Sequence, residues 1–177
     1  MGSFDPIHIG HLHIASAAIN ANLVEKVLFI PAMQNPWKVN SKSTKYTHRL
    51  NMIELAVKNV PEFVVSDIET QIPEPYYSSY TLELLKEQYP NDDLYLIVGA
   101  DVGVDIKNWF RGTWIVQNFK VIIIAREGFE DTFVFDINKT INVSSTEIRN
   151  LCKENKRLYP LVPKEIEEYI KKFNLYS

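Results

Sequence analysis

Short apolar runs alternate along this chain with segments whose apolar residues recur at helical spacing. The runs at 27–30, 63–65, 94–98 and 121–125 are continuously apolar, as expected for strands buried on both faces, and a last short strand is predicted at 141–143. Helices are predicted from Gly10 to Asn20, from a cap at Thr47, from Thr81 to Gln88, from Ser144 and from Pro163. This alternation predicts βαβ units with right-handed crossovers, and therefore an α/β fold whose sheet is doubly wound, mostly parallel and covered by helices on both faces.

The length of the chain predicts one domain. With 177 residues and no repeat or linker, we expect a single domain over residues 1–177. A turn at residues 2–6 leads into the first predicted helix, and such a turn normally follows a buried strand. Because only Met1 precedes the turn, we expect the native chain to begin several residues earlier with an apolar strand at the centre of the sheet.

The charge and composition exclude several classes of function. A net charge of −3, with acidic and basic residues mixed, argues against a nucleic-acid-binding surface, which needs clustered Lys and Arg. No apolar run approaches the roughly 18 residues that a membrane-spanning helix needs, and the opening residues have no secretory-signal pattern. The single cysteine, Cys152, cannot form an internal disulfide. We predict a cytoplasmic globular protein with no nucleic-acid or membrane partner, and an oligomer is compatible with this composition.

The segment around the first predicted helix start is suited to binding an anion. Gly2 and Gly10 let a ligand approach the backbone closely, and Pro6 stiffens the turn between them. The helix that follows presents free N–H groups and the positive end of its dipole. His8 and His11 are three residues apart, so both imidazoles can project from one side of its first turn. Alone, the two histidines would more often be surface or capping residues; together with the glycines, proline and aspartate of this segment they predict a phosphate site.

A second helix start, at Ser144, carries the same kind of chemistry. Ser144 and Glu147 have the spacing of a capping box. Ser145 and Thr146 add hydroxyls and N–H groups that can cradle phosphate oxygens, and Arg149 can reach the same anion with two donors. Taken alone, this segment is equally well explained as a capped helix with an exposed arginine. Two such helix starts in one domain favour a phosphate site.

The first group contains His8-Ile9-Gly10-His11, and the second spans residues 144–149. Together they resemble the paired signatures of the HxGH nucleotidyltransferase superfamily. Within that superfamily the chain resembles the bacterial nicotinate-mononucleotide adenylyltransferases nearly from end to end. The further matching segments are 29–32, 35–38, 48–56, 99–101 with Trp109, 125–128, 169–170 and 174–176. The resemblance implies a Rossmann-like domain that transfers the adenylyl group of ATP to nicotinate mononucleotide, giving nicotinate adenine dinucleotide and pyrophosphate in NAD biosynthesis.

For catalysis, the resemblance implies that His8, His11 and Arg149 contact the ATP phosphates. The implied ATP-binding residues are Gly2, Ser3, Phe4, Gly10, Gly99, Asp101, Ser144, Ser145 and Thr146. Mg²⁺ would enter with ATP, and no metal ligand is predicted in the protein. The second pKa of a phosphate monoester is about 6, so the mononucleotide needs no general base and catalysis would rest on positioning and charge stabilisation.

For the second substrate, the resemblance implies contacts from Lys38, Trp109 and Tyr77, and it also implies a ribose contact from Asp101, one of the ATP-binding residues. Lys38 would meet a phosphate, Trp109 would stack on the pyridine ring, and Asp101 would hold a ribose. Tyr77 would border the nicotinate pocket, although Pro75-Tyr76-Tyr77-Ser78 departs from the Pro-Ser-Tyr-Thr that is usual in the family.

Other functions remain open at this stage. A phosphopantetheine adenylyltransferase shares the Gly-Ser-Phe-Asp-Pro opening, but those enzymes usually have threonine at the position of His8 and no tryptophan placed like Trp109. A class I aminoacyl-tRNA synthetase shares the His-Ile-Gly-His signature, but 177 residues leave no room for its catalytic and anticodon domains. A non-catalytic nucleotide sensor with the same fold is a further alternative, and the choice between the acid and the amide mononucleotide also stays open.

Overall fold

The computed structural model describes residues 1–34, 43–99, 103, 105–124, 134–135 and 141–177. The α-helices within them are Ile9–Asn20 (α1), Tyr46–Val57 (α2), Ser78–Gln88 (α3), Gly112–Asn118 (α4), Ser145–Lys153 (α5) and Lys164–Lys172 (α6). The strands are Val27–Phe29 (β1), Phe63–Val65 (β2), Tyr95–Gly99 (β3), Lys120–Ile124 (β4) and Val134–Phe135 (β5), and short 3₁₀ helices lie at Ile68–Gln71 and Ile106–Asn108. Among these described helices, none has the length and apolar character needed to cross a membrane.

Every strand pair within the described residues is parallel. β1 pairs with β2, with Leu28 opposite Val64. A three-stranded sheet has the order β3-β4-β5, with Ile97 opposite Ile122. Parallel strands need crossover connections, and helices supply them between β1 and β2 and between β3 and β4. The predicted fold class, an α/β fold with a mostly parallel sheet, is therefore confirmed.

One predicted strand does not form. Residues 141–143 belong to no strand in the part of the chain that the structure describes. Val143 is nevertheless buried, and its Cγ1 lies 3.0 Å from where a Cβ at Gly10 would stand. The apolar side chain at 143 therefore packs against the start of α1, a role that apolar character alone does not distinguish from a strand.

The chain comprises two compact units, which are described separately. The first contains Met1–Asp67 and Ile141–Ser177, and the second contains Ile68–Thr140. The core of the first unit is formed by α1, α2, α5, α6 and the strands β1 and β2, and its most deeply buried side chains include Ile7, Met52, Ile53, Ile148, Val162 and Ile166. The second unit buries Ile106, Ile115, Ile122 and Ile124. A single domain over residues 1–177 stays a prediction.

The observed helix starts agree only in part with those predicted from the sequence. Ser144 is the N-cap of α5, and its Oγ accepts the N–H of Glu147 at 3.1 Å, as predicted. The predicted cap of α2 at Thr47 is wrong, because Lys45 is the N-cap and its carbonyl accepts the N–H of His48 at 3.0 Å. Pro163 is the N-cap of α6 rather than its first residue.

Candidate active site

The turn before α1 lies just beyond the carboxyl end of β1. The N–H of Gly2 donates to the carbonyl of Ile30 at 3.0 Å, and the carbonyl of Gly2 accepts the N–H of Ala32 at 2.9 Å. The chain then turns through Phe4, whose φ of 45° is left-handed, and reaches His8 in an extended conformation. Parallel α/β sheets bind ligands beyond the carboxyl ends of their strands, so the predicted anion-binding turn occupies a suitable place.

His8 and His11 form a stacked pair at the start of α1. Their ring centroids are 3.7 Å apart and their planes differ by 25°. His8 is buried and His11 is partly exposed. The backbone N–H of His8 donates to Nδ1 of His11 at 3.2 Å. Because Nδ1 accepts this bond, the proton of the neutral imidazole sits on Nε2, and His11 presents an N–H donor from that nitrogen.

Two further residues hold the histidine pair in place. Phe4 meets the ring of His11 edge-on, with centroids 4.9 Å apart and planes at 72°. Gly10 leaves room for the pair, since a Cβ there would lie 3.0 Å from Nδ1 of His8. The sequence suggested Gly10 as a place where a ligand approaches the backbone, and the structure adds a packing reason for it.

The start of α5 is joined to the turn before α1. The hydroxyl of Ser145 donates to the carbonyl of Pro6 at 2.9 Å. The guanidinium of Arg149 donates through Nη1 to the carbonyl of Asp5 at 2.8 Å and through Nη2 to Oγ1 of Thr146 at 3.0 Å. The two groups that the sequence singled out, more than 130 residues apart, therefore meet in the first unit. Some N–H groups of the first turns already have partners, since Ile9 donates to the carbonyl of Leu161 at 3.0 Å and Glu147 donates to Oγ of Ser144 at 3.1 Å. The positive ends of the two helix dipoles still suit this place to an anion.

Asp5 is a functional candidate that belonged to the sequence pattern but to which sequence reasoning assigned no role of its own. It is 7% exposed, and its carboxylate accepts the hydroxyl of Tyr176 at Oδ1 and the N–H of Thr44 at Oδ2, at 2.7 and 3.2 Å. Burial and the negative charge of Asp5 raise the pKa of the Tyr176 hydroxyl, which therefore stays a donor. The donors are 39 and 171 residues away in sequence, so no local pattern could have identified them.

Arg49 was also missed, although α2 carries a signal for it. The residue is 2% exposed, and its guanidinium donates to three carbonyls: Thr44 at 3.0 Å, Ser3 at 2.7 Å and Met33 at 3.3 Å. It ties together the turn before α1, the residues after β1 and the start of α2. Arg49 precedes the buried Met52 and Ile53 by three and four residues, so it lies on the apolar face of the helix. An arginine on such a face indicates a buried structural cation.

In the second unit, aromatic rings gather around Tyr77. The ring of Phe110 stacks on Tyr77 with centroids 4.4 Å apart and planes at 20°, and Tyr80 lies 5.9 Å from Tyr77 and 5.6 Å from Phe110. Trp109, the predicted stacking residue, is partly exposed and follows the 3₁₀ helix Ile106–Asn108. Within the described residues, the ring that stacks on Tyr77 therefore belongs to Phe110, the residue directly after Trp109. The sequence reasoning missed Phe110, because spacing alone does not tell which of two adjacent aromatic residues faces a third.

The remaining predicted site residues are placed only in part. Gly99 ends β3, where it lies opposite Ile124. Lys38 and Asp101 lie outside the described residues. Within the described ranges, no group of three or more His, Cys, Asp or Glu side chains has an arrangement that could hold a metal ion. Burial raises the pKa of the Cys152 thiol, which disfavours the thiolate that a cysteine nucleophile needs.

Comparisons with known proteins identify the family. The sequence profile of the cytidylyltransferase-like family matches residues 1–151. A relative from Clostridium tetani named "Probable nicotinate-nucleotide adenylyltransferase" is 35% identical, with 99% of this chain and 96% of the relative covered. A relative of the same name from Bacteroides thetaiotaomicron is 36% identical, with 96% and 90% covered.

The fold is shared with a solved structure as well. Plasmodium falciparum nicotinic acid mononucleotide adenylyltransferase complexed with NaAD matches with a TM-score of 0.83 at 24% identity, over 99% of this chain and 94% of that one. This likeness confirms the Rossmann-like, doubly wound α/β fold. With the family profile and the relatives that align over nearly their whole length, it follows that this chain belongs to the cytidylyltransferase-like family and, within it, to the nicotinate-nucleotide adenylyltransferases.

Proposed function

We propose that this protein transfers the adenylyl group of ATP to nicotinate mononucleotide, giving nicotinate adenine dinucleotide and pyrophosphate, a step of NAD biosynthesis. One structural observation carries the proposal: Ser145 and Arg149 of α5 bind the carbonyls of Pro6 and Asp5, in the turn that presents the two histidines. The names of the relatives support it independently of that geometry.

The phosphates of ATP are the ligand we assign to the first unit. Nε2 of His11 would donate to the α-phosphate as its charge develops, with His8 stacked behind it. Arg149 would hold the β- and γ-phosphates. The hydroxyls and N–H groups at Ser145 and Thr146 would complete the cradle. The other residues that we assign to ATP in this unit are Gly2, Ser3, Phe4, Gly10 and Ser144. In the second unit, we assign Gly99 and Asp101 to ATP.

The reaction needs no nucleophile from the protein. At pH 7 the phosphate of the mononucleotide is largely dianionic, because its second pKa is about 6. One of its oxygens attacks the α-phosphorus of ATP and forms the new P–O bond, while the bond to the β-phosphate oxygen breaks and pyrophosphate leaves. The protein aligns the attacking oxygen with the α-phosphorus, opposite the pyrophosphate that leaves. It also stabilises the negative charge that accumulates during the transfer. Donors on a stacked, packed histidine pair and on an arginine serve that purpose.

A divalent cation belongs to this reaction as part of the nucleotide substrate. Enzymes of this class use ATP and typically a divalent metal, and we propose that the metal is Mg²⁺, which enters bound to the ATP phosphates. There it would neutralise charge on the pyrophosphate that leaves. Arg149, which we place at the same phosphates, would share that task.

For the pyridine nucleotide, we assign the aromatic residues of the second unit. Trp109 would stack on the pyridine ring, and Tyr77, which itself stacks on Phe110, would border the nicotinate pocket. Lys38 would meet a phosphate, and Asp101, which we assign to ATP, would hold a ribose. The acid rather than the amide is proposed as the preferred mononucleotide, since the relatives carry the name of the nicotinate enzyme. We also place the reaction in the cytoplasm, as the composition predicted.

A pyrophosphate-release assay tests the proposal. ATP is supplied with nicotinate mononucleotide, nicotinamide mononucleotide or phosphopantetheine in turn, and we expect the highest kcat/KM with nicotinate mononucleotide. A higher value with phosphopantetheine would overturn the assignment, and ATP binding without pyrophosphate release from any acceptor would support a nucleotide sensor. The His11→Ala variant, purified in the same way, controls for a contaminating enzyme.

A further inference from the structure

Asp5 is a buried carboxylate within the turn that presents His8 and His11. It is 7% exposed, and both of its oxygens accept hydrogen bonds. The hydroxyl of Tyr176 donates to Oδ1 at 2.7 Å, and the N–H of Thr44 donates to Oδ2 at 3.2 Å. A buried carboxylate depends on such donors, because removing one leaves a desolvated oxygen without a partner.

The chain after α6 is bent so that Tyr176 reaches Asp5. The N–H of Leu175 returns to the carbonyl of Ile170 at 3.0 Å, and both Asn174 and Tyr176 have left-handed backbones, with φ of 50° and 67°. Asparagine often adopts this conformation directly after a helix, where Asn174 donates to the carbonyl of Lys171. A tyrosine rarely adopts it, so the left-handed backbone of Tyr176 persists only where contacts determine it. The ring of Tyr176 packs against the core of the first unit, and its hydroxyl supplies the contact to Asp5.

Asp5 also connects Tyr176 to the catalytic groups. Its backbone carbonyl accepts Nη1 of Arg149 at 2.8 Å, and three residues further on stands His8, whose N–H sets the tautomer of His11. A shift of residue 5 would therefore move the partner of Arg149 and the donor to His11 together. Errors of about 1 Å in the placement of catalytic groups cost on the order of 100-fold in rate.

We propose that Tyr176 is a positioning residue of the adenylyl-transfer site, which holds the turn before α1 in its active geometry through Asp5. This role rests on the proposed function, since the turn is taken to bind the ATP phosphates. Tyr176 acts without touching a substrate.

The test compares Tyr176→Phe with Tyr169→Phe. Tyr169 is a matched control in the same unit, because its hydroxyl lies 3.0 Å from both Nδ1 of His48 and Nδ2 of Asn51, two side chains of α2. We expect Tyr176→Phe to lower kcat about tenfold, less than the roughly 100-fold expected for a 1 Å misplacement of catalytic groups. Both KM values should change less than kcat. Tyr169→Phe should lower the Tm to a similar extent but leave kcat near that of the unmodified protein. If both variants keep the same kcat per folded molecule, the proposal is wrong.

A second readout does not depend on turnover. In the imidazole ¹⁵N NMR spectrum of the unmodified protein, we expect His11 to show an unprotonated Nδ1 and a protonated Nε2. Tyr176→Phe should give a mixture of tautomers, and Tyr169→Phe should not. An unchanged His11 spectrum in Tyr176→Phe would overturn the positioning role. If the spectrum shifts but the unmodified protein releases no pyrophosphate with any acceptor, the proposed function fails and the control of the turn by Tyr176 stands.

Discussion

The backbone N–H of His8 donates to Nδ1 of His11 at 3.2 Å, while the two imidazole rings stack 3.7 Å apart. The first histidine of the motif therefore fixes the protonation pattern of the second. Because Nδ1 accepts a hydrogen bond, Nε2 carries the proton in the neutral ring and is the donor toward a ligand. A spacing of three residues at a helix start allows this contact, since the side chain of the third helical residue reaches back to the N-cap backbone.

Substitution of His11 tests the donor at Nε2. We expect His11→Ala to lower kcat by about 100-fold, because one preorganised donor to developing charge is worth ~3 kcal/mol. His11→Gln should retain more activity than His11→Asn, since the longer side chain brings an amide nitrogen nearer to the place of Nε2. The measurements are kcat and the Kd for ATP.

His13→Ala on the same helix is the control, and its kcat should stay near that of the unmodified protein. If His11→Ala weakens ATP binding as much as it slows turnover, then His11 serves ground-state binding only. Equal activities of the glutamine and asparagine variants would contradict the assignment of the donor N–H to Nε2 of His11.

Gly10→Ala tests the packing of the pair. The new Cβ would lie 3.0 Å from both Nδ1 of His8 and Cγ1 of Val143, closer than ordinary van der Waals contact. We expect a loss of about 1–3 kcal/mol in the free energy of unfolding, as in other overpacked sites, together with a fall in kcat because the ring of His8 must move. Ala18→Val, which overpacks a fully buried position of the same helix, is the control. Its kcat per folded molecule should be unchanged, and an equally unchanged kcat in Gly10→Ala would refute the argument.

The strands β3 and β4 and the helix starts of α1 and α5 were predictable because their determinants are local, whereas α4 and β5 were not predicted. Continuous apolar runs gave β3 and β4 to within a residue at each end, and Ser144 caps α5 through the residue three positions later. The run at 141–143 shows the limit of such patterns. Val143 is buried against the start of α1 and not in a strand ladder, and both environments select the same residue type.

The supports of the site were not predictable, because their partners are distant in sequence. Asp5 is bound by Tyr176 and Thr44, and Arg49 binds Ser3, 46 residues away. Nothing near residue 5 indicates that its carboxylate is buried, since an aspartate before proline is equally typical of an exposed turn. Such contacts follow from tertiary packing, whereas His8, His11 and Arg149 could be selected by their chemistry at a helix start.

Substitutions of Trp109 and Phe110 together test our proposal that an aromatic residue of the second unit binds the pyridine ring. If the indole stacks on the pyridine ring, Trp109→Ala should raise the KM for the mononucleotide about tenfold and affect ATP less, since an aromatic pair contributes roughly 0.5–1.5 kcal/mol beyond area burial. Trp109→Phe should recover much of the loss. Phe110→Ala removes the ring stacked on Tyr77 and is the comparison. A large drop in Tm of Trp109→Ala with unchanged substrate selectivity would remove Trp109 from the site.

Glu167 provides a prediction about stability and pH. Its carboxylate in α6 is buried, with Oε1 2.7 Å from Nζ of Lys171 and Oε2 3.1 Å from the N–H of Tyr159. The hydrogen bond from Lys171 lowers the pKa of Glu167 despite the opposing effect of burial, and backbone N–H donors lower it further. A carboxyl whose pKa is lower in the folded state stabilises the fold above its unfolded pKa of about 4.3, and that contribution is lost as the pH falls through the folded value.

We therefore expect Glu167→Gln to reduce the free energy of unfolding by about 1–2 kcal/mol at pH 7, because one acceptor of a charged donor is lost from a buried position. The difference from the unmodified protein should shrink as the pH falls from about 5 to below the folded pKa, where both chains carry a neutral side chain. Urea unfolding across that range measures it. Glu168→Gln is the control, since Glu168 is exposed and 3.6 Å from an exposed Lys164, so its replacement should change little at any pH. The difference in free energy of unfolding between the two proteins could instead stay constant down to acid pH. That result would show that the lost stability comes from packing and not from the ionised carboxylate.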